Sequence, residues 1–78
     1  MPPGPEPFTP ALIGRLLHLA LNQGIKPQER AWARARLIEE KPRIAPDALA
    51  LAVKQVAAAK LHRDADLKKI VEEIFGAE

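Results

Sequence analysis

Prolines punctuate this chain at helix-length intervals, and that punctuation restricts its folding options more than any other feature. Pro10, Pro27 and Pro46 stand 17 and 19 residues apart. Each opens a run dominated by Ala, Leu and charged residues. Proline suits the first position of a helix, where its missing N–H would have no intrahelical partner, and disrupts a helix interior. Strand formers are scarce, with no Tyr, one Trp and two Phe in 78 residues. The sequence therefore predicts an all-α chain of four short helices near 10–23, 27–40, 46–62 and 65–75. They are expected to form two αα-hairpins, as a compact four-helix bundle or a short α-solenoid-like pair. Residues 9–78 are read as a single helical domain. Residues 1–8 (MPPGPEPF), with four prolines, are read as a flexible Pro-rich arm.

Local signals sharpen the boundaries. Thr9 is a suitable N-cap, and Phe8 can staple onto Ile13. In the first helix Ile13, Leu16, Leu17, Ala20 and Leu21 share one apolar face, with Arg15, His18 and Asn22 opposite. Gly24 is expected to stop it. The second helix has a thin apolar face of Ala31, Ala35 and Ile38, with Trp32 at one edge. A separate, solvent-facing stripe is read in Arg30, Arg34, Leu37 and Lys41, while Arg36 is expected to pair locally with Glu29 or Glu40. Lys41-Pro42 should end the helix, because a residue before proline is biased away from helical geometry. The third helix presents Leu49, Ala52, Val53, Val56 and Ala57. Asp64 is expected to cap the fourth, whose Leu67, Ile70, Val71, Ile74 and Phe75 give the cleanest periodic pattern in the chain.

The two halves can be overlaid at the Pro10-to-Pro46 offset. Ile13 then matches Leu49, Leu17 matches Val53, Ala31 matches Leu67, Ala35 matches Val71 and Ile38 matches Ile74. A duplicated hairpin would give this register, but so would any two amphipathic hairpins of equal length. Tetratricopeptide signature residues are absent, and no family is indicated.

Charge is unevenly placed. The net charge is only +2, too small to imply nucleic acid by itself. Yet residues 26–43 carry six positive and three negative charges, while residues 64–78 carry two positive and five negative. The absence of Cys excludes disulfides and thiolate metal sites. His18 and His62 fall on polar faces without an evident neighbouring ligand, so no metal site is expected. No Cys–His pair, G-x-S-x-G or phosphate-binding loop is present, and Asp64 with Asp66 reads as first-turn charge. The expectation is a non-enzymatic chain with no cofactor and no small-molecule substrate. With no apolar run of membrane length and no signal-peptide pattern, it is read as cytoplasmic.

Two functional classes fit these features. The first is a small protein-interaction module, an adaptor or regulator able to self-associate. Its contact residues would be Leu12, Leu19, Leu37 and Leu51, which lie at or beyond the edges of the core stripes. The second is a small DNA- or RNA-binding regulator. The unit of helix one, turn and helix two resembles a helix-turn-helix at Ala20, Gly24 and Ile25, but departs from it at Arg30, where an apolar residue is expected. Gln28, Arg30, Arg34, Lys41 and Arg43 would then meet nucleic acid, or an acidic partner in the first class.

Overall fold

The computed structural model describes residues 9–76, which fold into four α-helices, and no strand occurs among them. Helix α1 spans Pro10–Leu21, α2 Pro27–Glu40, α3 Pro46–Ala59 and α4 Asp64–Val71. A 3₁₀ turn, Lys41–Arg43, follows α2, and α4 continues into a π-helical turn, Glu72–Gly76. The Pro-rich arm, with the proposed Phe8 staple, lies outside the described residues.

Three of the four helices begin on proline as the punctuation requires. Thr9 caps α1, its hydroxyl accepting from the Leu12 N–H at 3.3 Å. Other ends differ from expectation. Helix α1 stops at Leu21, and Gly24 does not adopt a left-handed conformation. Instead the Asn22 side chain accepts the Gly24 N–H at 2.8 Å, closing an Asx-type turn. Among the described residues the one in a left-handed conformation is Lys60 (φ 55°), which terminates α3. Lys41 remains helical before Pro42, because the chain tightens into the 3₁₀ turn there. Arg63, not Asp64, occupies the α4 N-cap, without a side-chain cap bond. Asp64 and Asp66 sit in the first turn, where the helix dipole favours them.

Helix α1 is the hub of the bundle. It packs most extensively on α2 and α3 and also meets α4, while the π turn touches α2. Gly14 lies at the α1–α3 crossing, where a Cβ would sit 3.6 Å from Val56 Cγ2, an ordinary contact. The core comprises Ile13, Leu16 and Leu17 of α1, Ala33 and Leu37 of α2, Ala52 and Val56 of α3, and Leu67, Ile70 and Ile74 of α4 and its π turn. For α1, α3 and α4 these are residues the periodicity assigned inward.

Helix α2 is turned about half a revolution from its expected orientation. Ala33 and Leu37 are fully buried, whereas Ala31, Ala35 and Ile38 are exposed. Two residues along a helix correspond to roughly 200°, which is the size of the discrepancy. Arg30 and Lys41 are half-buried on this inward side. Glu40 is buried too, its carboxylate accepting from Arg43 Nη1 at 2.9 Å, with Arg36 Nη2 3.9 Å away. Long polar side chains can lie along a core edge by burying their stems, so polarity alone does not fix a helix face. The half-to-half register also fails here. Ala31 and Ile38 are exposed, whereas their counterparts Leu67 and Ile74 are core residues.

Candidate protein-docking groove

Once the core is closed, several large apolar side chains stay in contact with water: Leu12, Trp32, Ile38, Leu51 and Leu61. Leu12 of α1 and Trp32 of α2 line one shared groove. Leu12, Leu16 and Leu19 descend one side of α1 at helical spacing, and Trp32 closes the groove from α2. The resulting groove holds about 310 Å³, and Arg15 of α1 and Arg36 of α2 contribute to its lining. Among the described residues no acidic one lines it. Among the described residues no carboxylate pairs with Arg15, and Arg36 has only the long contact to Glu40. Trp32, the chain's sole tryptophan, is 58% exposed and presents more than half of its surface to water.

The proposed contact leucines divide three ways. Leu12 and Leu51 are exposed. Leu19 is half-buried against the core but still forms groove wall. Leu37 is fully buried and cannot serve as a surface contact, a direct result of the α2 rotation. Trp32, Arg15 and Arg36 were not among the expected contacts. The lone Trp of a chain with so few aromatics was the available signal, but the face assigned to α2 placed it at a core edge.

The basic residues are spread over different surroundings. Gln28 is exposed. Arg30 is half-buried, donating from Nη1 to Gln23 Oε1 at 3.0 Å, with its Nε buried and unpaired. It occupies the inward position that a helix-turn-helix gives to an apolar residue. Arg34 pairs with Glu73 of the π turn and lines a polar cleft with Asp66, Lys69 and Glu73. Arg43 is engaged by Glu40, and Lys41 is half-buried.

Two further features lie elsewhere. A second apolar groove of about 510 Å³ runs between α3 and α4, floored by Val53, Ala57, Leu67 and Val71, with Asp64, Glu72 and Lys68 at its edges. Across the bundle, His18 of α1 and His62 of the α3–α4 connection meet, Nδ1 to Nε2 at 2.7 Å. This overturns the expectation that neither histidine has a close partner. The rings are tilted by 50° with centroids 4.8 Å apart. Burial and then the His18 ring hold the His62 imidazole below its ordinary value, partly opposed by Asp66. Only two nitrogens converge there; among the described residues no third His, Cys, Asp or Glu completes a metal-ligand set.

No family model, curated protein or solved structure matches the chain. Among the described residues no helix is long and apolar enough to cross a membrane.

Proposed function

We propose that this chain is a non-catalytic protein-interaction module, an adaptor or regulator in the cytoplasm that binds a helical segment in the α1–α2 groove. One observation carries the reading: Leu12 and Trp32 remain exposed, and share one groove, in a bundle whose core is already filled. Amphipathic helices bind such grooves through anchors at i, i+3, i+4 and i+7, and tryptophan is enriched among residues that dominate binding energy.

The magnitude sets the expected affinity. Burying what remains exposed of Leu12 (40%) and Trp32 (58%) is worth at most roughly 1.5–3 kcal/mol each. Association entropy offsets much of this. Two anchors alone fall short of the roughly 8 kcal/mol that a micromolar complex needs. A weak, regulated contact follows, strengthened wherever the partner adds charge complementarity.

The DNA- or RNA-binding reading is less favoured. Arg34 and Arg43 are engaged by Glu73 and Glu40, and Arg30 is partly buried, which disperses the basic stripe. The deciding experiment is a titration of the chain with amphipathic helical peptides and, separately, with a random-sequence DNA duplex at two salt concentrations. Saturable peptide binding that is lost in Leu12→Asp supports the module. Duplex binding that weakens steeply with salt, without peptide binding, would replace it with the nucleic-acid reading.

A further inference from the structure

We infer that the α1–α2 groove is built for a partner helix whose apolar stripe is flanked by acidic residues, rather than for a second copy of this chain. The inference rests on the docking reading above and adds the chemistry of the occupant.

The first argument is charge. Arg15 on α1 and Arg36 on α2 stand on the two helices that form the groove, and none of its lining residues among those described is acidic. A helix lying between them presents flanking positions to both guanidiniums at once. Glutamates at those positions gain two charge-assisted contacts at the edge of an apolar site. Lysines there would meet like charge on each side.

The second argument is symmetry. A dimer formed through this groove about a two-fold axis would set the surface against itself. Each copy would bring Arg15 and Arg36 to the same small interface, with no lining carboxylate to receive them. Like-charge juxtaposition of this kind selects against a pairing even where apolar area is available. Glu29, Glu39 and Glu40 stand on α2 itself, but none of them lines the groove, and Asp64, Asp66, Glu72 and Glu73 belong to α4 and its π turn.

The groove also contains its own reporter. Trp32 is the only tryptophan, and it forms one wall, so its emission responds to whatever covers it.

The test uses the full chain and two Trp-free helical peptides with identical leucine stripes, one flanked by Glu and one by Lys. Trp32 emission is followed during titration at low and at moderate salt, with far-UV circular dichroism confirming that each variant is folded. The expected result is at least tenfold tighter binding of the Glu peptide, a preference that narrows as salt rises. The double variant Arg15→Glu, Arg36→Glu should invert the preference. Lys68→Glu, at the α3–α4 groove, should leave it unchanged. Equal affinity for both peptides overturns the acidic partner while leaving the docking module standing. Absence of binding by either peptide overturns both. A concentration-dependent doubling of light-scattering mass, accompanied by a blue shift of Trp32 without peptide, overturns the inference in favour of a second copy. A preference abolished by Lys68→Glu but not by the arginine double variant also overturns it, by moving the site to the other groove.

Discussion

Leu37 and Ile38 are consecutive on α2, yet Leu37 is fully buried and Ile38 is 52% exposed. The same pair of similar side chains therefore makes opposite predictions. Leu37→Ala removes atoms from a closed core and should destabilise the fold by about 2–5 kcal/mol. Ile38→Ala should change stability by no more than about 0.5 kcal/mol. Urea denaturation of both variants checks this, and comparable losses would contradict the orientation of α2.

Lys60 carries a left-handed backbone at the end of α3. Such a conformation costs a side-chain-bearing residue roughly 1–2 kcal/mol, whereas glycine adopts it freely but loses more entropy on folding. Lys60→Gly should stabilise the chain by a net ~0.5–1 kcal/mol, raising Tm by several degrees for a domain of this size. A lower Tm in calorimetry would mean that Lys60 makes a compensating contact.

Glu40 is a buried carboxylate with unequal partners. Arg43 donates to it at 2.9 Å, whereas Arg36 stands at 3.9 Å. Arg43→Ala leaves that carboxylate short of its better donor and should cost about 1–3 kcal/mol. Arg36→Ala removes only the longer i,i+4 contact, from an arginine that is itself exposed, worth about 0.3–0.5 kcal/mol. Chemical denaturation of the two variants should preserve this order, and a reversal would reassign the principal partner of Glu40.

The burial of His62, with His18 against it, makes stability depend on pH. The folded chain holds His62 below its ordinary value of 6.5, by burial first and by His18 second. At this ring the folded state therefore binds fewer protons than the unfolded state as pH falls through that value. Stability is full above about pH 6.5, declines below it, and levels off once the pH has passed the folded-state value. Melting at pH 7.5 and 5.5 should show a lower Tm at the acid end, and His62→Gln should flatten that difference. An unchanged slope in the variant would place the pH dependence elsewhere.

Three helices were legible in the sequence because their apolar residues outnumber the alternatives. Ile13, Leu16 and Leu17 leave α1 one choice of inward face, and Leu67, Ile70 and Ile74 do the same for the C-terminal helix. Helix α2 offered no such majority. Ala31, Ala33 and Ala35 spread small residues over opposite sides, so the decision fell between Leu37 and Ile38, which point apart. Packing settled it by accepting Ala33 with Leu37 and tolerating the stems of Arg30 and Glu40 alongside. The misplaced face hid the groove, since Trp32 could be recognised as surface only once α2 was correctly turned. The histidine pair was hidden for another reason: its members lie 44 positions apart and share no local pattern.

That separation has a kinetic consequence. The ties that close this bundle join distant parts of the chain, His18 to His62 and Arg34 to Glu73 across 39 positions. Long loops must close before those contacts return any stabilisation. Helix α1 shares its apolar stripe with every other helix, so a fragment ending after α2 would hold an unfinished interior. The molecule is therefore expected to assemble and melt as one cooperative unit, more slowly than its helical content alone would suggest, with neither half surviving the loss of the other.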